Sequence, residues 1–167
     1  NKLGDTGAEA LVATLWRLNN IQELKLRYNG ITAKVAEAIS TTLKQFTRLK
    51  VLDLGNNTLG NNGAVVLAEG LSNASSLEVL NIGRNGIGEI GFCQLLPVLK
   101  KMRNMRKLCL SYNEIGSASL HLSMFERMPE LLELRLNKSL NIGWFAFAPL
   151  FGAKLQHLDL SWNHAGA

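Results

Sequence analysis

Leu52-Asp53-Leu54-Gly55-Asn56-Asn57 decides the fold, because its pattern recurs every 28 residues. The companion phrases are Leu24-Lys25-Leu26-Arg27-Tyr28-Asn29, Leu80-Asn81-Ile82-Gly83-Arg84-Asn85 and Leu108-Cys109-Leu110-Ser111-Tyr112-Asn113. Within each, apolar and polar residues alternate, the period of a strand buried on one face. Between the phrases the period changes. In Ala64-Val65-Val66-Leu67-Ala68-Glu69-Gly70-Leu71 the apolar residues fall at roughly helical intervals, and Ala and Leu favour helix. A strand–helix unit repeated at such a period predicts a solenoid. Its strands form one parallel sheet inside a curve and its helices lie outside, joined by right-handed crossovers.

The first apolar anchors are Ile21, Leu49, Leu77, Met105, Leu131 and Leu155, and the second are Leu24, Leu52, Leu80, Leu108, Leu134 and Leu158. Their spacing is 28 three times, then 26, then 24. The pattern LxxLxLxxN resembles the leucine-rich repeat in its long form, as in ribonuclease inhibitor, NOD-like receptors and Ran GTPase-activating proteins. The resemblance implies an α/β right-handed horseshoe with a concave parallel β-sheet and convex helices. Residues 1–167 then form a single array of about six repeats, shortened after residue 139. Leu3-Gly4-Asp5-Thr6-Gly7 matches the post-strand signature seen in Leu59-Gly60-Asn61-Asn62-Gly63, and Leu155 to Asn163 supplies a strand without a following helix. Neither end reads as a polar cap, so the expectation is a portion of a longer array.

Asn29, Asn57, Asn85, Asn113 and Asn163 stand where each strand ends and the chain turns inward. A buried carboxamide supplies two donors and an acceptor for backbone groups there, and in the resembling family such asparagines form a ladder. Ser139 takes this position in one unit, and the following Leu140-Asn141-Ile142-Gly143 arrives one residue late. The glycines read as turns with positive φ or as points of close backbone approach. Asp5, Thr32, Asn61 and Ser117 stand where a helix start can use an oxygen acceptor. From Trp144 to Lys154 the convex segment is short, aromatic and broken by Pro149, so one helical turn or an irregular stretch is expected.

Hydrophobic residues make up 47% and charged residues 19% of the chain, and no apolar run is long enough to span a membrane. Two cysteines, Cys93 and Cys109, fall in different contexts and form no clustered cap, which favours a reducing, cytoplasmic setting. The sequons at Asn56, Asn73 and Asn137 are what an asparagine-rich chain produces by chance. Net charge is +5. Lys100, Lys101, Arg103, Arg106 and Lys107, with Lys44, Arg48 and Lys50 two units earlier, form a partial basic rim where strands begin. The rim reads either as cations near helix C-termini or as a surface for an acidic partner.

Three histidines show no metal-ligand spacing, and Gly83-Arg84-Asn85-Gly86 lacks the lysine and hydroxyl of a phosphate loop. The sequence therefore points to no catalytic, cofactor or metal site and no small-molecule substrate, and nucleic acid is unsupported by any recognition motif. Chemistry concentrates on the concave face. Its outward rows include Lys25, Asp53, Asn81, Cys109, Arg135 and Asp159, and, just before the ladder, Tyr28, Asn56, Arg84, Tyr112, Lys138 and Trp162. Aromatic residues and arginine on an exposed surface are the types enriched at interface hot spots. Tyr28, Arg84, Tyr112, Arg135, Lys138 and Trp162 are the candidate contacts for a protein partner. The expected role is a non-catalytic interaction module or scaffold, in a cytoskeletal or innate-immune setting. The alternative is a GTPase-activating or other enzyme-regulatory array.

Overall fold

The computed structural model describes residues 3–15, 17–18, 20–116, 125–141 and 154–164. Six three-residue strands form one sheet in chain order: β1 (Glu23–Lys25), β2 (Val51–Asp53), β3 (Val79–Asn81), β4 (Lys107–Cys109), β5 (Glu133–Arg135) and β6 (His157–Asp159). Every pairing is parallel and in register, so Leu24, Leu52, Leu80, Leu108, Leu134 and Leu158 stand side by side. Sequential parallel neighbours require a crossover in every coil. Helices α2 (Ala33–Leu43), α3 (Gly60–Leu71) and α4 (Glu89–Leu99) supply three of these crossovers, and α1 (Gly4–Leu15) precedes β1.

One core runs through the described coils. The strand-centre leucines from Leu24 to Leu134 are buried, as are Leu26, Leu54, Ile82, Leu110 and Leu136 two residues later. Each such side chain removed from water contributes about 1.5–3 kcal/mol. Ile39, Leu67 and Leu95 close the same core from the helix side. At β6, the last strand of the sheet, Leu158 remains 44% exposed.

The carboxamides bind adjacent coils together. Asn57 accepts from the backbone N–H groups of Asn29 (3.0 Å) and Ile31 (3.1 Å) and donates to the carbonyls of Leu26 (3.0 Å) and Leu54 (2.7 Å). Asn113 repeats this set one pair of coils later, accepting from Asn85 and Ile87 at 3.1 Å each. Asn163 accepts from Ser139 and Leu140, both at 2.8 Å. Asn85 differs. Its nitrogen donates to Leu54 and Ile82, but its oxygen has one long contact, to the N–H of Leu59 at 3.5 Å.

That difference belongs to an alternation invisible in the 28-residue pattern. In two coils the left-handed glycine follows the ladder asparagine directly, at Gly30 (φ 66°) and Gly86 (φ 63°). In the intervening coils it comes later, at Gly60 (φ 61°) and Gly116 (φ 62°), and Gly4 (φ 58°) has the same conformation. The later glycine donates to the ladder carbonyl of the next coil: Gly4 to Asn29 at 3.0 Å and Gly60 to Asn85 at 2.9 Å. The structural period is therefore a pair of coils.

Helix starts follow the same alternation and correct one expectation. Thr32 caps its own helix, its hydroxyl accepting from Lys34 N–H at 3.2 Å. Asp5 and Asn61 lie inside α1 and α3 and cap the next coil instead. Asp5 accepts from the N–H (3.0 Å) and hydroxyl (2.7 Å) of Thr32, while Asn61 accepts from Gly88 (2.8 Å) and Gly91 (3.0 Å). A Cβ on Gly91 would lie 2.7 Å from the Asn61 oxygen and 2.9 Å from its Cα, so only glycine lets α4 seat there. Ser117, and Trp144 through Ala153 of the aromatic convex segment, lie outside the described residues.

Candidate binding face

Outward strand positions form the floor of the concave face, and their carboxylates are already engaged. Glu23 pairs with Lys25, and Glu133 pairs with Lys107 (3.1 Å) and Arg135 (2.8 Å). Burial acts to raise the Glu133 pKa, but the Lys107 hydrogen bond and the charges of Arg135 and Lys107 outweigh it and hold the carboxyl below its ordinary value. Asp53 accepts from the N–H of Gly55 at 2.9 Å, and Asp159 from the N–H (3.0 Å) and hydroxyl (2.7 Å) of Ser161. A side-chain acceptor two residues before its donor closes each strand end as a local turn.

The next column has a backbone signature that sequence did not reveal. Tyr28, Asn56, Arg84, Tyr112, Lys138 and Trp162 all have φ between 50° and 60°. Non-glycine residues rarely adopt this left-handed region, which costs roughly 1–2 kcal/mol per residue. All six hold it at the same point of successive coils. The amide of this column donates across to the next coil, as from Tyr28 to Gly55 (3.1 Å), Asn56 to Gly83 (2.8 Å) and Arg84 to Ser111 (2.8 Å). These bonds fix the turn whatever side chain it carries.

Cations and rings in this column rest on one another. The Arg84 guanidinium lies 4.0 Å from the centre of the Tyr112 ring, and the Lys138 ammonium approaches the same ring at 5.8 Å. At the other end Arg27 lies 5.0 Å from the Tyr28 ring. With its carboxamide oxygen turned to Arg27, Asn56 accepts from that guanidinium at 3.1 and 3.2 Å and donates to the Tyr28 hydroxyl at 3.3 Å. Tyr28 is 58% and Trp162 80% exposed.

The family model described as Leucine Rich repeat matches residues 17–40, 47–68 and 153–164. The chain is built of leucine-rich repeats. Its array is similar to an internalin (inlF) from Listeria monocytogenes, at 25% identity and a TM-score of 0.66, over 92% of this chain and 45% of that one. This chain therefore spans less than half the length of the internalin. It is also similar to the tropomodulin C-terminal domain from Caenorhabditis elegans, at 14% identity and a TM-score of 0.74, over 88% of this chain and 90% of that one. The leiomodin-1 segment named Actin-Binding Site 2 matches at 16% identity and a TM-score of 0.65, over 76% and 78%. The last two likenesses concern the fold alone. No curated protein matches the sequence.

Within the repeat array the six candidate contacts separate into two neighbouring hollows. Tyr28, Arg84, Tyr112 and Arg135 line a concavity of about 620 Å³ over the sheet, with Cys109, a free thiol, on its floor. Lys138 and Trp162 line a second hollow of about 470 Å³ with Leu140 and His164. Lys138 joins the two through its contact with Tyr112. Sequence reasoning passed over Arg27, although the 28-residue register puts it where the other coils carry Gly55, Gly83 and Ser111. It also passed over Ser111, whose buried hydroxyl has no hydrogen-bond partner among the described residues.

Of the basic rim, Lys50 pairs with Glu78 (3.0 Å) just before β2 and β3, and Lys107 pairs with Glu133 within the sheet. Arg48 donates to the Asn20 side chain at 2.9 Å and Arg103 to the Arg127 carbonyl at 3.3 Å. Lys44 and Lys100 are helix C-caps. Among the described residues, no group of three or more His, Cys, Asp or Glu side chains could hold a metal ion, and no helix is long and apolar enough to cross a membrane.

Proposed function

We propose that this leucine-rich repeat array is a protein-interaction module that binds its partner on the concave face, through the column from Tyr28 to Trp162. One observation carries the reading: bulky aromatic and cationic side chains occupy five of six successive left-handed positions, with Asn56 at the other, where a bare turn would carry glycine at lower cost. Rings with few rotatable bonds, held on a rigid sheet, lose little entropy on binding. The floor beneath is rigid because its acids and bases already satisfy each other.

Two free cysteines fit a reducing compartment, and a cytoskeletal partner is the first to try. Actin is a defined candidate because the leiomodin-1 neighbour carries actin binding in its name. The test is affinity capture of partners, with purified actin as a separate co-sedimentation sample, using the intact chain and its Tyr112→Ala and Trp162→Ala variants. Each variant should weaken the captured partner by more than about 1 kcal/mol while melting at the wild-type temperature. A partner retained at full strength by both variants, and by Tyr28→Ala and Arg84→Ala, places the interface elsewhere.

A further inference from the structure

The sheet's own cations, Lys25, Lys107 and Arg135, are paired with Glu23 and Glu133. At the two strand-end positions beside the ladder, by contrast, cations recur at every second coil, Arg27 one residue earlier in register than Arg84 and Lys138. Arg27 ends the strand segment of β1, Arg84 follows β3 and Lys138 follows β5, and each rests on a tyrosine ring. The column that holds Arg84 and Lys138 contains no acidic residue, and the four acids of the adjacent sheet are tied to neighbours. Among the described residues, neither Arg84 nor Lys138 has a carboxylate partner. Their charge is held against an aromatic ring on the concave face.

Strand spacing turns this pattern into a ruler. Neighbouring parallel strands lie about 4.8 Å apart, so cations on alternate coils are separated by roughly 9–10 Å. An extended β-type ligand presents same-side residues about 7 Å apart, or about 13 Å for the next, and misses this interval. A polyproline II segment has three residues per turn and a rise of about 3.1 Å, which brings every third side chain to the same side at about 9.3 Å. That interval matches the alternate coils. Resting on the reading that this face binds a protein, we infer that the bound element is an extended, polyproline II-like acidic segment running along the solenoid axis. Its carboxylates fall at every third residue, opposite Arg27, Arg84 and Lys138. Tyr112, between Arg84 and Lys138, packs against the intervening residues, and Trp162 receives an apolar or aromatic side chain beyond the last acid.

The test uses three synthetic peptides of equal length and composition, made of Glu, Pro, Ser and one terminal Trp. Glu is placed at every third position, at alternate positions, or in one block. Their affinities for the intact chain are measured by NMR titration at low and high salt. The every-third peptide should bind roughly five- to tenfold tighter than either other peptide, with the advantage shrinking in high salt. Arg84→Ala and Lys138→Ala should each remove most of that preference, while Lys101→Ala on the rim leaves it intact. Equal affinities, preference for the alternating or blocked peptide, or absence of binding by all three overturns the inference. The broader site reading is judged separately, by whether Tyr112→Ala and Trp162→Ala release a captured partner.

Discussion

Asn56 and Asn57 are neighbours of the same residue type, yet they belong to columns with opposite tasks. Asn57 is buried and bonds to five backbone groups on two coils, and its column repeats asparagine nearly without change. Asn56 is half-exposed with a left-handed backbone, and its column reads Tyr, Asn, Arg, Tyr, Lys, Trp. The ladder column is uniform because every coil leaves the same backbone groups to satisfy. The column beside it is held by main-chain bonds to the next coil, so its side chains are free to vary. In this fold variability marks the surface available for recognition, and uniformity marks the frame.

The largest expected effects test the frame. Asn57→Ala and Asn113→Ala should each destabilise the array by about 1–3 kcal/mol, because donors and acceptors are left buried and unpaired. Asn85→Ala should cost less than either, since its oxygen makes only the long contact to Leu59. Thermal or denaturant unfolding of the three variants checks both statements, and equal losses would remove the two-coil alternation. Ser139→Ala should cost about 1 kcal/mol. The Ser139 hydroxyl is shared between the carbonyls of Leu110 (3.0 Å) and Asn137 (3.1 Å), and it accepts from Asn113 only at 3.5 Å.

In the neighbouring column the sign reverses. Arg84→Gly and Lys138→Gly relieve a left-handed residue and should leave stability unchanged or raise it by up to about 1 kcal/mol, even as partner binding falls. A clear loss of stability in both would make this column part of the frame.

Acid should act through the few tied carboxylates. The Asp5 pKa is held low by the hydroxyl and N–H of Thr32, and that of Glu133 by Lys107 and Arg135 against the effect of burial. A depressed carboxylate contributes stability above its unfolded pKa and loses it as pH falls through the folded value. Unfolding midpoints should therefore drop as pH falls below the ordinary glutamate value of 4.5, and Lys107→Ala with Arg135→Ala should flatten part of that drop. The smallest effect belongs to the rim. Reversing Lys100, Lys101 and Arg103 together should change stability by less than about 0.5 kcal/mol, because exposed charges contribute little.

Hydrophobic period, strand register and ladder positions were legible in sequence. Each depends on whether a residue is apolar or amide-bearing at a fixed interval, and burial enforces that choice in every coil. The 28, 28, 28, 26 and 24 spacing of the anchors is the register of the sheet. Helix capping was legible only as a supply of acceptors. Asp5 and Asn61 lie within the first turn of their own helices and accept from backbone N–H groups at the helix start of the following coil, a partner 27 to 30 residues away that only stacking supplies. Alternating turns escaped notice because Gly30 and Gly60 sit at different steps of the repeat, and only backbone angles show that they do the same work in successive coils.

Sequence by itself determined that this chain is a leucine-rich solenoid and which residues face inward, since a strand's period and a buried amide's bonding needs are local matters. Tertiary structure alone decided that Arg84 and Lys138 meet over one tyrosine ring and that Lys107 reaches Glu133 on the next strand. Those contacts join residues 26 to 28 apart in the chain, and only the stacking of coils brings them within reach.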